Sequence, residues 1–344
     1  MTHKVHLLFD ERMIDHDPGP MHPERPMRLQ AIVERLRGHR ITGTQWSRPH
    51  PATREQIARI HDEAYIDHID AQRGKSAHLD PDTATSPDSV NAAYLAAGAA
   101  VDAVTKVMKC AGDRAFALVR PPGHHAERDR AMGFCIFNNT AIAAAHAVQE
   151  LGCRRVLIVD WDVHHPNGTQ QAFYDRDDVF MFSSHRYPFY PGTGALDEIG
   201  TGAGEGLTVN VPLGPGQGDD VHWALLEGLL RPIAEQFQPE LVLVSAGYDS
   251  HREDLLGGMR VTDDGFAAFS GLVSDVANRY AQGRLVMVLE GGYDLAALGR
   301  GVCSGVEVMA GATPPICDAP TGHGAELVKE IFAHHRRHWP RVGK

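Results

Sequence analysis

The chain has 344 residues, enough for one large α/β domain or two ordinary ones. With 43% apolar and 22% charged residues, wholesale disorder is excluded. Thirty-three Lys and Arg against 44 Asp and Glu give a net charge of −11, which excludes a dedicated nucleic-acid binder, because phosphate neutralisation needs clustered basic side chains.

The first apolar run, VHLLF (5–9), is broken by Asp10, Glu11 and Arg12, and no secretory signal follows from it. HLDPDTATSPDS (78–89) reads as a loop, and AAYLAAGAAVDAVTKVM (92–108) as a helix interrupted by polar residues well short of the roughly 20 a membrane span needs. The strand FALV (116–119) leads into the Pro- and Gly-rich loop RPPGHHAERDRAMGF (120–134), and the helix TAIAAAHAVQEL (140–151) follows. Next come the strands VLIVDWDV (156–163) and VFMFS (179–183), a long loop (184–206), the strand LTVNVPL (207–213) and a helix (220–237). The strand LVLVSAG (241–247), a loop (247–259), a helix (266–281) and the strand LVMVLEGG (285–292) complete the series. Continuous rather than alternating hydrophobicity suits strands buried on both faces, so a mainly parallel sheet flanked by helices is expected. The expectation is one α/β domain over 1–344, with a core of about 4–312 and a C-terminal helix or tail over 313–344. The five cysteines form no CxxC pair and their odd number leaves one unpaired, the usage of a reducing compartment; a soluble cytoplasmic protein is expected.

Several of these loops leave the C-terminal ends of strands, where open parallel sheets bind their ligands. In VLIVDWDVHHPNGTQ, Asp160, Asp162 and His164 alternate at i, i+2 and i+4, which on a strand puts them on one face, roughly 6.6 Å apart in succession. Charges in so apolar a strand are costly to bury unless paired or metal-bound. Asp249, at the end of LVLVSAGYD, is the best further ligand. Two carboxylates and an imidazole leave a coordination position open for water, as a catalytic zinc site requires. The same set suits Fe(II), Mn(II) or Co(II), and the residues alone do not choose.

His124 and His125 lie in the bend made by Pro121, Pro122 and Gly123, where an imidazole can take a proton from water and return it to a leaving amine. Tyr293 follows Gly291 and Gly292 at another strand end; a phenol there can donate to a developing oxyanion, a contribution of roughly 10²–10³ in rate. Each of these residues alone also reads as ordinary packing or surface; the convergence of four strand-end motifs carries the functional reading.

Together these segments, with HPERPMRL (22–29), IHDEAYIDHI (60–69) and LEGGYDL (289–295), resemble the histone deacetylase and acetylpolyamine amidohydrolase superfamily of arginase-like α/β fold. The resemblance implies that Asp162, His164 and Asp249 bind zinc, that Asp160 orients His124 and Asn167 orients His125 beside the attacking water, and that Tyr293 polarises the scissile carbonyl. It implies a narrow apolar tunnel of Gly133, Phe134 and Phe189 or Tyr190, and a structural potassium ion at Asp160, Asp162, His164 and Ser183. Asn167, with GTGAGEGLTVNVPL, looks like the class II branch, and Tyr293 separates the chain from the weakly active class IIa pattern. Where polyamine-preferring relatives carry an acidic gatekeeper, the matching residue is Leu256, with Glu253 and Asp254 nearby as a remaining source of an acidic rim. Pro166 departs from the glycine usual after the second histidine, which puts the His125–Asn167 contact in question.

The expected activity is removal of acetyl or another acyl group from lysine side chains of proteins or peptides, with no direct nucleic-acid or membrane partner. An acetylpolyamine amidohydrolase is the rival of the same class, and a non-catalytic acyl-lysine or polyamine binding protein the rival of another. An arginase-like two-metal ureohydrolase lacks its bridging carboxylates. A homo-oligomer contact is an open expectation for the loops 184–206 and 78–89. Of the 21 histidines, only His124, His125 and His164, with His165 as a structural neighbour, are assigned; the other 17 are expected at the surface.

Overall fold

A computed structural model describes residues 3–344. Strands β1 (Val5–Leu8), β2 (Thr44–Ser47), β5 (Arg114–Ala117), β6 (Val156–Asp160), β7 (Val179–Arg186), β8 (Thr208–Leu213), β9 (Leu241–Ala246) and β10 (Leu285–Leu289) form one sheet in the order β2-β1-β5-β10-β9-β6-β7-β8. All of its pairings are parallel. β3 (Ala77–His78) and β4 (Ala84–Thr85) make a separate small hairpin that overlaps the start of the expected 78–89 loop.

The helices are α1 (Met27–Gly38), α2 (Arg54–Ile57), α3 (Glu63–Asp70), α4 (Ser89–Lys109), α5 (Asn139–Gln149), α6 (Asn167–Phe173), α7 (Asp219–Leu225), α8 (Arg231–Phe237), α9 (Asp263–Tyr280), α10 (Leu295–Met309) and α11 (Gly322–His335). A π-helical turn, Leu226–Leu230, joins α7 to α8. The chain steps one way across the sheet from β5 to β6 and the other way from β9 to β10. Right-handed crossovers therefore put α5 and α9 on opposite faces, which is why β6, β9 and β10 are buried throughout. α4 packs with α5, while α10 packs between α9 and α1. α4 carries a run of alanines with no exposed surface, including Ala92, Ala96, Ala99 and Ala103, and these let a 21-residue helix lie close to β5.

A second, smaller core forms where Ile57, Tyr65, Ile66 and Ile69 pack against Ile136 and Phe137. It holds the loop that follows β5: Tyr65 donates to the Ile136 carbonyl at 2.6 Å, and His61 binds the Glu127 carbonyl at 2.8 Å and the Asn138 N–H at 2.9 Å.

Two expectations are corrected here. The strand expected over 156–163 ends at Asp160, because the carboxylates that follow bond to the local backbone and turn the chain. The 17 unassigned histidines are not all surface residues: eight are buried, His61, His185 and His335 among them. A neutral imidazole is well satisfied between one donor and one acceptor, and burial pushes His61 and His335 down to about 4. Among the described residues no helix is long and apolar enough to cross a membrane.

Candidate active site

Five neighbouring strands deliver the site at their C-terminal ends. His124 and His125 follow β5, Tyr293 follows β10, Asp249 follows β9, Asp162 and His164 follow β6, and Phe189 and Tyr190 follow β7. After β6 the convergence comes from two successive side-chain turns rather than strand alternation. Asp160 Oδ1 accepts the Asp162 N–H at 3.0 Å, and Asp162 Oδ1 accepts the His164 N–H at 2.9 Å.

Asp162, His164 and Asp249 bring their ligand atoms within 4.8 Å of one another. His164 Nδ1 lies 3.0 Å from Asp162 Oδ1 and 3.2 Å from Asp249 Oδ2. Both carboxylates are fully buried, and Asp249 Oδ2 has no hydrogen-bonding partner, its approach to His164 lacking the angle for one. Burial, then the neighbouring Asp162, raises Asp249 to about 7. Burial opposes charging His164, yet the two carboxylates outweigh it and lift the ring to about 9. A Cβ at Gly291 would run into both carboxylates, so only glycine lets the chain after β10 pass this closely. Two buried acids, one imidazole and an orphaned carboxylate oxygen fit a divalent cation with zinc-like ligand preferences.

The adjacent histidines differ in their partners. His124 Nδ1 donates to Asp160 Oδ2 at 3.1 Å, and its Nε2 is 3.8 Å from Asp162 Oδ1. Burial disfavours its charged form, but Asp162 and Asp160 prevail and raise it to about 10. His125 Nδ1 pairs with Asn167 Oδ1 at 2.7 Å, while Asn167 Nδ2 donates to Glu127 Oε1 at 2.6 Å. The acceptor-only carboxylate thus fixes the amide's orientation, so His125 carries its proton on Nδ1 and exposes a free lone pair on Nε2. Burial, then His124 and His164, lowers His125 well below the usual range. The two rings sit 4.1 Å apart, and the His125 ring is 5.7 Å from that of His164.

Pro166 has φ −80° and ψ 67°, and Asn167 N–H bonds to the His165 carbonyl at 2.9 Å. This is an inverse γ-turn, a conformation whose φ proline already satisfies. The departure from glycine leaves the His125–Asn167 contact intact.

Aromatic rings surround the cluster. Phe189 stacks on His164 at 5.2 Å, and Tyr190 meets the rings of His125 at 5.1 Å and His164 at 6.1 Å, so both residues of the PFYPGTG loop reach the site. Phe134 packs edge-on to Tyr293 at 5.9 Å, and Gly133, at φ 57°, is held by its N–H to Asp82 at 3.0 Å with no room for a Cβ against His125. Burial, then Asp249, raises Tyr293 well above its ordinary value, so its phenol stays protonated. Ser183 pairs in register with Asp160 across β6 and β7, and its hydroxyl lies 2.8 Å from His185 Nδ1.

Leu256, Met21, Glu253, Asp254, Tyr293 and Asp294 line a cleft of about 380 Å³. Of the acidic rim expected from Glu253 and Asp254, the Asp254 half is corrected: Asp254 is buried and accepts the N–H groups of Tyr293 (2.6 Å), Asp294 (3.1 Å) and Leu256 (2.9 Å), whereas Glu253 is exposed at the cleft. Glu253 is bound by Arg300 at 2.8 Å, and Asp294 caps α10 through the Ala297 N–H at 2.8 Å. Sequence reasoning missed Asp254 in this bracing role, together with Glu290 and Arg28. Glu290 gave the same signal as Asp160, a charge ending an apolar strand; Arg28 is buried through a partner four residues away, Glu24, at 2.8 Å.

The sequence matches the histone deacetylase domain family over residues 22–309. It is 38% identical to a probable deacetylase of Archaeoglobus fulgidus, over 84% of this chain and 81% of that protein. It is 39% identical to the polyamine deacetylase HDAC10 of Homo sapiens, over 92% of this chain and 49% of that longer protein. The solved HDA15 HD domain superposes with a TM-score of 0.92 at 37% identity, covering 98% of this chain and 97% of that one.

Proposed function

The chain belongs to the histone deacetylase family and is an amide hydrolase, and on that premise we propose that it removes acyl groups from lysine side chains, with zinc held by Asp162, His164 and Asp249. When bound, such an ion polarises the acyl carbonyl and acidifies a water molecule. The neutral amide partner of His125 leaves its Nε2 able to take the proton as water attacks the carbonyl carbon. The Asp160 carboxylate favours a protonated His124, which gives its proton to the amine nitrogen as the C–N bond breaks, so the products are a carboxylate and a free amine. Tyr293 donates to the oxygen that gains negative charge. Gly133, Phe134, Phe189 and Tyr190 flank the methylenes of the substrate side chain. We further assign a structural potassium ion to Asp160, Asp162, His164 and Ser183, supported by the pairing of Asp160 with Ser183.

The observation that carries lysine over polyamine is the cleft beside Tyr293: its gatekeeper Leu256 is apolar, and all three acids lining it are engaged. Met21 and Leu255, 94% and 98% exposed, extend this apolar rim. A polyamine's second ammonium finds no unengaged carboxylate there, whereas a peptide flanking an acyl-lysine meets apolar surface. The test is a parallel assay of acetyl-lysine peptides and acetylspermidine, with metal content measured on the same sample. Acetyl-lysine peptides are expected to give the higher kcat/KM, and Leu256→Glu to move the ratio toward the polyamine by roughly fivefold to tenfold, the worth of one surface charge pair. A strong polyamine preference in the unaltered protein overturns the reading.

A further inference from the structure

At the edge of the sheet opposite the active site, α1 and α10 end side by side. Gly299 lies against Ala31, and eight residues further along both segments (31 to 39, 299 to 307) His39 meets Glu307. The two helices therefore run parallel and bring their C-terminal ends together. Cys303 and Glu307 stand one turn apart on α10, a spacing that puts both side chains on one helix face. His39, which ends α1, reaches across with Nε2 at 2.6 Å from Glu307 Oε1. One ligand atom from each of His39, Cys303 and Glu307 lies within 4.8 Å of the other two. His39 also borders an open cleft of about 690 Å³ between the two helices, so a cation has a route from solvent.

We propose that His39, Cys303 and Glu307 form a second metal site, for Zn²⁺ or a cation of similar preference, that fastens the ends of α1 and α10. An i, i+4 pair on one helix joined by a ligand from a neighbouring element is a geometry zinc accepts, and one nitrogen, one sulfur and one carboxylate oxygen match its borderline-soft character. Both helix C-termini turn their negative dipole ends toward the cation. On binding, the cation takes the place of the Cys303 thiol proton and of the hydrogen bond between His39 and Glu307. The opposite ends of the same two helices flank the active-site loop. Arg28, in the first turn of α1, donates to the Glu290 and Gly292 carbonyls, and α10 begins two residues after Tyr293. The staple fastens the pair at the ends remote from that loop.

The experiment titrates metal-free, full-length protein with Co²⁺. Two equivalents bind, and a thiolate-to-cobalt charge-transfer band appears in the near ultraviolet; Asp162, His164 and Asp249 contain no sulfur, so the band reports the second site. Cys303→Ser removes the band and one equivalent. His39→Asn, at an exposed position that leaves the helix packing alone, weakens Co²⁺ binding there at least about tenfold, since even an outer-shell contact is worth about 10–100-fold. Both variants, loaded with one equivalent of zinc, keep the parent's deacetylase turnover. A single equivalent, the absence of a thiolate band, or a band that survives both substitutions, as ligation by Cys135 beside His124 and Glu290 would produce, overturns the proposal.

Discussion

Glu290 is fully buried, and its carboxylate grips the loop of His124 and His125 while Arg28 grips its main chain in the segment that leads to Tyr293. Oε2 accepts the N–H groups of Gly123 at 2.7 Å and His124 at 3.1 Å, and the Glu290 carbonyl accepts from Arg28 at 2.5 Å. Arg28 in turn pairs with the buried Glu24, which also binds Arg120 at 2.7 Å. One side chain therefore ties the histidine loop to the segment that carries Tyr293. Removing it leaves two buried N–H groups unpaired, at about 1–3 kcal/mol each, and frees the histidines to shift. Glu290→Ala is expected to lower kcat about 10²-fold, the scale of a 1 Å misplacement, with KM changed far less. Glu290→Gln, whose amide oxygen can still accept both bonds, retains most of kcat. Steady-state kinetics on both variants decide; equal losses, or a loss confined to KM, refute a positioning role. At this scale a charge inside an apolar strand was the readable signal, and it marked Asp160 and Glu290 alike. Histidine was unreadable residue by residue, because His61 and His335 are held by backbone partners that no local pattern reveals.

Among the elements, the central strands were legible because β6, β9 and β10 are buried on both faces and read as unbroken apolar runs. β2 was not, since an edge strand with Gln45 exposed offers neither a run nor a clean alternation. α10 escaped for a different reason: Gly299, Gly301 and Gly305 look like helix breakers, yet all three sit in the packed helix, and at Gly301 a Cβ would run into the Tyr248 ring. The residues singled out after β6 do converge with Asp249 although the segment carrying them was read as strand, because residue type and spacing survive the error while the backbone path does not. Entry into α6 illustrates that path. Pro166 suits its turn, whereas glycine there enlarges the freedom of the unfolded chain, so Pro166→Gly is expected to cost about 0.4–1 kcal/mol of stability. Asn167 stays anchored by Glu127, so the pH profile of kcat/KM remains unchanged. Denaturant melts together with pH–rate measurements test both halves, and a shifted profile would show that the proline sets the Asn167 contact.

For the whole molecule, the parallel sheet and its ligand-bearing edge follow from the sequence pattern, while the docking of remote segments does not. α11 was expected only as a helix or tail, yet Val328, Ile331 and His335 are buried, and His335 Nε2 lies 3.2 Å from the Asn210 carbonyl on β8. His61 performs the same service under the β5 loop, far from α11 in the chain. Burial first, offset in part by backbone hydrogen bonds, lowers both rings to about 4 against an ordinary 6.5, with His334 adding to the depression of His335. Between those limits the unfolded chain binds protons that the folded chain refuses. The contribution of each ring is therefore complete above pH 6.5 and is lost as pH falls from 6.5 toward 4, at about 1.4 kcal/mol per pH unit and about 3 kcal/mol in all. Replacing His335 by Gln keeps a side chain able to reach Asn210 and removes the proton. Unfolding free energies from denaturant melts between pH 6 and pH 5, above the range of most carboxylates, should then depend on pH less steeply by about 1.4 kcal/mol per unit. An unchanged slope in His335→Gln would mean that this imidazole becomes protonated within the folded state, so that the docking of α11 does not depend on its neutrality.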